Sequence, residues 1–366
     1  MSKRLKVGVI GAGIIAQVMH LHFLRELRDQ FEIYGICDIS PENAKNNADV
    51  YGVTKVFTEW EDLLKEPIDA VFILTSGTHA PIAIAAAKAG KHVLVEKPMC
   101  FSVAEGREMK KAAEDSEVVL MVAYPKRYDP AFSRFKDEVA TVREPRLFRV
   151  TTFEAPFWPY VKHYPLTPVT TPPSDKLEIW KVQTKESIEA AIGTDEPFLS
   201  KIYHLVLLDT LVHELNTTRA ILGEPDVLEF VDFSESVLNA YFKFSGISVV
   251  INWIDLPGFT KYGMEFASYG PEKRVTLTFP SPFLRNAPTM LEIEAGEVGT
   301  PRSWKIEELT SFEEAFKNEL RAFYECVIEK KKPITTAEDA IRDLAICQNI
   351  IKCYQDKKPI SNPSAI

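Results

Sequence analysis

The six residues Gly11-Ala12-Gly13-Ile14-Ile15-Ala16 follow a short apolar run at 6–10 and open an amphipathic stretch at 14–28. They read G-x-G-x-x-A, and no other feature constrains this chain as much. Glycine allows a tight strand-to-helix turn and a close backbone approach, so that the first amides of the helix can hold a pyrophosphate. The spacing therefore assigns Gly11, Gly13, Ile14 and Ile15 to the phosphate end of a dinucleotide. The competing reading makes the glycines ordinary turn residues. Against it stands Asp38, which closes the next apolar run 22 residues after Ala16; a carboxylate there accepts hydrogen bonds from both ribose hydroxyls. The same carboxylate repels a 2′-phosphate, and no Arg follows in Ile39-Ser40-Pro41, so the expected cofactor is NAD rather than NADP.

Short apolar runs continue to alternate with amphipathic ones, the pattern of a parallel sheet built from strand-helix-strand units. Strands are expected at 6–10, 33–37, 70–74, 92–96 and 118–123, and helices at 14–28, 40–51 and 81–89, the last ended by Gly90 as a left-handed cap. Residues 1–123 form an α/β Rossmann domain on this reading. From 227 to 308 the chain is rich in β runs, with a hairpin of 239–244 and 247–254 turning at Ser245-Gly246. The second domain, 124–366, is thus expected to be α+β, with an open, mostly antiparallel sheet that serves substrate binding and oligomerisation. Its strands at 240–244, 249–253 and 265–269 should offer an apolar face to another subunit, giving a homo-oligomer. Closing helices at 311–355 are each announced by a capping box, Ser311 with Glu314 and Thr335 with Glu338.

A formal charge of −9 without a basic cluster excludes a phosphate-backbone partner, so no nucleic acid is expected. Five scattered cysteines fit neither a disulfide framework nor a zinc site, and no stretch reaches the ~20 apolar residues of a membrane span. A cytoplasmic protein without a membrane partner is expected.

The run Thr78-His79-Ala80-Pro81, continued by Ala89-Gly90-Lys91-His92-Val93-Leu94-Val95-Glu96-Lys97-Pro98, resembles the Gfo/Idh/MocA oxidoreductases. The similarity spans the nucleotide domain and recurs at 209–213 and in the terminal helices. It implies a Rossmann domain followed by a mixed-sheet domain whose face often forms a subunit interface. It also implies that Thr75, Ser76, His79, Glu96 and Lys97 border the cofactor. Lys97 would reach the reacting oxygen; His213, in the pattern D-x-x-x-H, would take the hydroxyl proton; Asp209 would orient substrate or hold a second relay position. Read without the resemblance, Lys97 before a proline is an exposed turn residue and Asp209/His213 an i, i+4 surface pair. On a regular helix over 204–222 the pair is offset by only about 40° and can face one cleft. Several positions depart from the family pattern. Tyr203-His204-Leu205 replaces a glycine-rich entry, Leu211 stands where glycine is common, Pro125 replaces an asparagine, and the loop Thr75-Ser76-Gly77-Thr78-His79 lacks its usual proline. His204 and His213 would fall on opposite helix faces, so no metal is expected.

Sugars stack on aromatic rings and need polar partners for their hydroxyls. Residues 154–200 offer that mixture in Trp158, Tyr160, Lys162, His163, Tyr164 and Trp180, with Arg127 as a further substrate ligand; packing in an oligomer arm explains the same aromatics. The departures and this insertion resemble the branch that oxidises C3 of glucosides, including plant C-glucosides, sometimes with NAD kept bound and recycled by a second sugar. An inositol or aldose dehydrogenase is the alternative enzyme, and a catalytically silent nucleotide-binding regulator the alternative of another class.

Overall fold

The structure, a computed structural model, describes residues 3–366. Two compact units share the chain by interleaving: the first takes the chain up to Tyr124, Tyr164–Asp209 and Phe316–Leu344, and the second takes Pro125–His163, Thr210–Ala315 and Ala345–Ile366. The sequence suggested two consecutive segments instead.

The first unit holds six parallel strands, β1 (Leu5–Ile10), β2 (Phe31–Cys37), β3 (Lys55–Phe57), β4 (Ala70–Ile73), β5 (His92–Val95) and β6 (Leu120–Val122), in the order β3-β2-β1-β4-β5-β6. Helices on both faces bury a parallel sheet, which is why β4 and β5 read as unbroken apolar runs with almost every residue buried. Strand order reverses between β1 and β4, so their carboxyl ends open the crevice where such sheets bind ligands. Local chemistry sets the helix ends. Ser40 Oγ accepts the Asn43 N–H at 3.3 Å with Pro41 in the first helical position. Gly90 follows the helix Ala80–Lys88 at φ +71°.

Other local expectations change. The helix expected at 14–28 passes through a π-helical turn, Ala16–His20, before Leu21–Glu26. A 19-residue helix, Ser174–Ile192, lies in the stretch read as an irregular arm; only Thr184 and Ile188 on it are buried, so it carries no broad apolar stripe to read. The helix Ala315–Ile328 lays Phe323 against Phe72 (ring centroids 5.3 Å) and Tyr324 against Phe31 (5.6 Å), which makes it part of the sheet's cover. Neither capping box forms. Ser311 Oγ accepts the Glu313 N–H at 3.0 Å, well before that helix starts. At the next one Thr336 rather than Thr335 is the cap, accepting the Asp339 N–H at 3.1 Å, while the Thr335 carbonyl is taken by the Val122 N–H.

The second unit is built on nine strands: β7 (Leu147–Glu154), β8 (Val227–Phe233), β9 (Val237–Phe244), β10 (Ile247–Asp255), β11 (Gly263–Tyr269), β12 (Lys273–Phe279), β13 (Met290–Gly296), β14 (Ser303–Leu309) and β15 (Ile360–Ser361). Their order is β14-β13-β12-β11-β7-β10-β9-β8-β15, and only β7 and β10 run parallel. The β9–β10 hairpin turns at Ser245 (φ +47°) and Gly246 (φ +82°), the two-residue geometry whose twist matches the strands. Leu238, Ala240, Phe242 and Phe244 of β9 and Val249, Ile251 and Trp253 of β10 are buried within this single chain. The apolar face expected to await another subunit is therefore already covered; the opposite face exposes Phe153, Phe230 and Tyr241. Among the described residues no helix is long and apolar enough to cross a membrane, and the five cysteines are buried and unpaired.

Candidate functional site

Gly11 ends β1 at φ +96°, and a Cβ there would stand 2.7 Å from the Leu74 carbonyl carbon and 2.8 Å from the Thr75 nitrogen. The turn after β1 thus rests on the backbone of the turn after β4. Gly13, by contrast, faces open space: a Cβ on it meets nothing within 4 Å. Ile14 and Ile15 open the helix. Asp38, half-buried at the end of β2, accepts the Ala12 N–H through Oδ2 and the Ser40 N–H through Oδ1, both at 2.8 Å. These bonds fix the carboxylate beside the glycine turn and leave further lone pairs for hydroxyl donors.

Over the same end of the sheet runs an extended strap, without regular structure from 165 to 173. The Thr167 N–H and hydroxyl both donate to Gln17 Oε1, at 2.9 and 3.1 Å, and the Thr170 N–H and hydroxyl to Asn43 Oδ1, at 2.7 and 3.0 Å. Ser40 Oγ and Thr170 Oγ1 are also bonded, at 2.5 Å. No sequence signal pairs these residues, because the contacts join positions more than a hundred apart.

In the turn after β4, His79 is buried with Nδ1 2.8 Å from the Pro98 carbonyl and Nε2 2.8 Å from the Thr75 carbonyl. Burial pushes its pKa down while the two carbonyls pull it back. This ring ties the β4 turn to the loop after β5, so it positions backbone. Thr75 Oγ1 is buried with no hydrogen-bond partner among the described residues, so its hydroxyl can serve a further group. Trp180, on the helix Ser174–Ile192, donates its indole N–H to the Ser76 carbonyl at 3.2 Å and crowds Gly77. An open Gly13, an orphan Thr75 hydroxyl and a fixed Asp38 suit a dinucleotide in this crevice.

β5 delivers Glu96 and Lys97. Glu96 Oε1 lies 2.6 Å from His20 Nε2, and Glu96 Oε2 accepts the Lys97 N–H at 3.1 Å. Burial pushes this carboxyl up, yet the His20 bond and the His20 and Lys97 charges outweigh it and hold the pKa low. Behind it Glu319 is fully buried, and burial with the Glu96 charge drives its pKa well above the carboxylate range. Lys97 Nζ reaches the Asp209 carbonyl at 2.6 Å and Asp209 Oδ1 at 2.9 Å. The Lys97 charge in turn depresses the Asp209 carboxyl below its usual value. Two residues 112 positions apart, singled out from sequence, are therefore one ion pair.

The helix that carries Asp209 differs from expectation. Ile202–Leu211 is π-helical, and the α-helix proper is Val212–Leu222. The wider i→i+5 turn removes the basis for a 40° offset between Asp209 and His213. His213 is half-buried at the second position of that α-helix. His204 sits edge-on to Phe101 (5.3 Å), its pKa lowered by burial and partly restored by the Asp209 charge. In the second unit Arg127 Nη1 donates to Asn216 Oδ1 at 3.0 Å. Tyr160 is engaged at both lone pair and proton, donating to the Thr260 carbonyl at 2.5 Å and accepting the Tyr262 N–H at 2.7 Å. Trp158 and His163 are exposed. Sequence reading missed Glu214, next to His213. It is fully buried, bonded by the Thr152 hydroxyl, and pushed up to about 7 by burial with Lys126 and Glu154 opposing one another around it. Nothing in the local sequence distinguishes it from a surface acid.

Residues 5–124 match the model of the Gfo/Idh/MocA family, described as an oxidoreductase family with an NAD-binding Rossmann fold. The chain is 23% identical to myo-inositol 2-dehydrogenase of Thermotoga maritima over 97% of its own length and 98% of that protein's. It is 30% identical to 1,5-anhydro-D-fructose reductase of Ensifer adhaerens over 63% of this chain and 60% of the relative. A solved levoglucosan dehydrogenase in complex with NADH and levoglucosan shares the fold, with a TM-score of 0.76 at 20% identity, 99% of this chain and 100% of that one being covered.

Proposed function

We propose that the chain is a Gfo/Idh/MocA oxidoreductase, the family whose model its residues 5–124 match, and that it oxidises a secondary hydroxyl of a sugar or glycoside, the best candidate being C3 of a glucoside to give a 3-oxo sugar. The observation that carries the proposal is the Lys97–Asp209 pair at the carboxyl end of β5, one strand from the crevice between β1 and β4. Bound NAD supplies the hydride acceptor at nicotinamide C4. Lys97 stabilises the substrate oxygen as its carbon gives up hydride, since a cation held beside a developing alkoxide acts in the transition state. Asp209 holds the ammonium in place. The hydroxyl proton goes to His213, on the strength of the family pattern. Glu96 and His79 position the backbone around Lys97. Trp158, Tyr160, His163 and Arg127 are the proposed substrate residues, and the assembly is a homo-oligomer. Asp38, fixed by two amides beside Ala12, favours NAD, because a 2′-phosphate would approach a carboxylate that cannot turn away.

Lys97→Ala and His213→Ala should retain NAD binding and each lose about 10²–10⁴ in turnover, the range of a positioned acid-base group. Asp38→Ala should narrow the preference for NAD over NADP. Turnover within threefold of wild type in both catalytic variants would remove the assignment. Relatives named for inositol and for anhydrofructose support the polyol or aldose alternative; a panel of methyl glucosides, inositols and free aldoses decides between them.

A further inference from the structure

The helix Ser174–Ile192 and the chain entering the π-helical turn line an open cavity of about 310 Å³. Its apolar wall is Trp180 and Ile188 on one side and Leu205 on the other, with Thr184 between the first two at helical spacing. Around it stand Lys181, Lys185 and Lys201, and among the described residues no acid lines it. The three ammonium groups give the cavity a positive rim in a chain whose formal net charge is −9. The nearest acids weaken this little: Glu178 lies 3.9 Å from Lys181 and Glu189 3.5 Å from Lys185, both exposed helix pairs of small energy.

Two residues of the cavity wall, Trp180 and His204, tie it to the side of the crevice where the reaction is proposed. Trp180 donates to the Ser76 carbonyl in the turn after β4. His204, also in the cavity wall, feels the charge of Asp209, which holds Lys97. An apolar cavity of about 150 Å³ holds a benzene ring, so this one has room for two rings.

The geometry points to this cavity as the site of the substrate's aglycone: a flat apolar group lying on Trp180 and carrying an acidic oxygen, phenolate or carboxylate, met by the lysines. This inference rests on the reading of the chain as an NAD-dependent dehydrogenase of glycosides. The same chemistry could come from a free aromatic acid acting as an effector, and the experiment separates the two.

Initial rates with methyl, phenyl and 4-carboxyphenyl β-glucoside give the KM ladder, and calorimetry with 4-hydroxybenzoate reports the cavity without turnover. The aglycone site predicts a KM for the carboxyphenyl glucoside about tenfold or more below that of the methyl glucoside, with phenyl between. Leu205→Trp, which fills the cavity from a half-exposed position, should collapse that ladder. Lys201→Glu, a surface change, should raise the carboxyphenyl KM about tenfold relative to the phenyl one. Equal KM values across the three glucosides, or a ladder untouched by both variants, overturn the inference. So does 4-hydroxybenzoate that binds the wild type but leaves the carboxyphenyl glucoside uninhibited, since that describes a separate effector site. Failure to turn over any glycoside would bring down the reading of the reaction instead. In that case binding of 4-hydroxybenzoate to the wild type and not to Leu205→Trp supports the anion cavity, and absence of binding overturns it.

Discussion

The turns after β1 and after β4 lie side by side, and each depends on a glycine at positive φ, Gly11 at +96° and Gly77 at +92°. What crowds them differs. Gly11 is pressed by main chain, the Leu74 carbonyl and the Thr75 nitrogen, held by neighbouring strands of one sheet. Gly77 is pressed by a side chain: a Cβ there would stand 2.4 Å from Trp180 Nε1, and Trp180 belongs to a helix a hundred residues later. One turn is therefore part of the sheet, while the other is completed by a helix distant in sequence. The lesson is that the turn after β1 is held by the sheet itself, whereas the turn after β4 is held by a side chain from a helix far along the chain.

Gly11→Ala should have the largest effect. Positive φ at a non-glycine residue and forced overpacking against immobile backbone together cost roughly 2–6 kcal/mol, read as a fall in the denaturation midpoint with loss of NAD binding. A cost below about 1 kcal/mol would mean that the two turns are equally pliable, and the comparison breaks.

Gly77→Ala should cost less, about 1–3 kcal/mol of backbone strain, because an indole can swing aside where a carbonyl cannot. Combining it with Trp180→Ala sharpens the contrast. The double variant should recover part of the loss, with a coupling of about 0.5–3 kcal/mol in the cycle, whereas Gly11→Ala with Trp180→Ala should be additive. Additivity in both cycles would show that Trp180 does not shape the turn.

The smallest effect belongs to the strap. Thr170→Val keeps its shape and its main-chain bond to Asn43 but deletes the hydroxyl bonded to Ser40 and Asn43. Deleting that hydroxyl should cost about 0.5–1.5 kcal/mol, seen as a lower denaturation midpoint at unchanged slope. No change would place the strap outside the unit's cooperative structure and leave Trp180 on Gly77 as the distant contact that matters at this end of the sheet.

Much of the first sheet was legible because its signals are local. The G-x-G-x-x-A turn, Ser40 before Pro41 and Gly90 after its helix each involve residues within one turn of one another, and each stands where the spacing put it. The same holds for the β9–β10 hairpin at Ser245-Gly246. The second capping box failed for a related reason: adjacent threonines compete, and Thr335 was drawn to the sheet by Val122, leaving Thr336 to cap. Lys97 and Asp209 were nameable only through resemblance, since a lysine before proline and an acid on a helix have no local mark of pairing.

By itself the sequence determined the strand-turn-helix that opens the crevice, the acid that closes β2, and the alternation of two sheet types, because backbone sterics and burial period act over a few residues. Only the tertiary structure decided which distant groups share a space. It set Lys97 on Asp209, Trp180 on the turn after β4, the strap threonines on Gln17 and Asn43, and three lysines round an apolar cavity. Such contacts are chosen by shape, charge and the cost of leaving buried polar groups unpaired across the whole fold, and no window of neighbouring residues contains that sum.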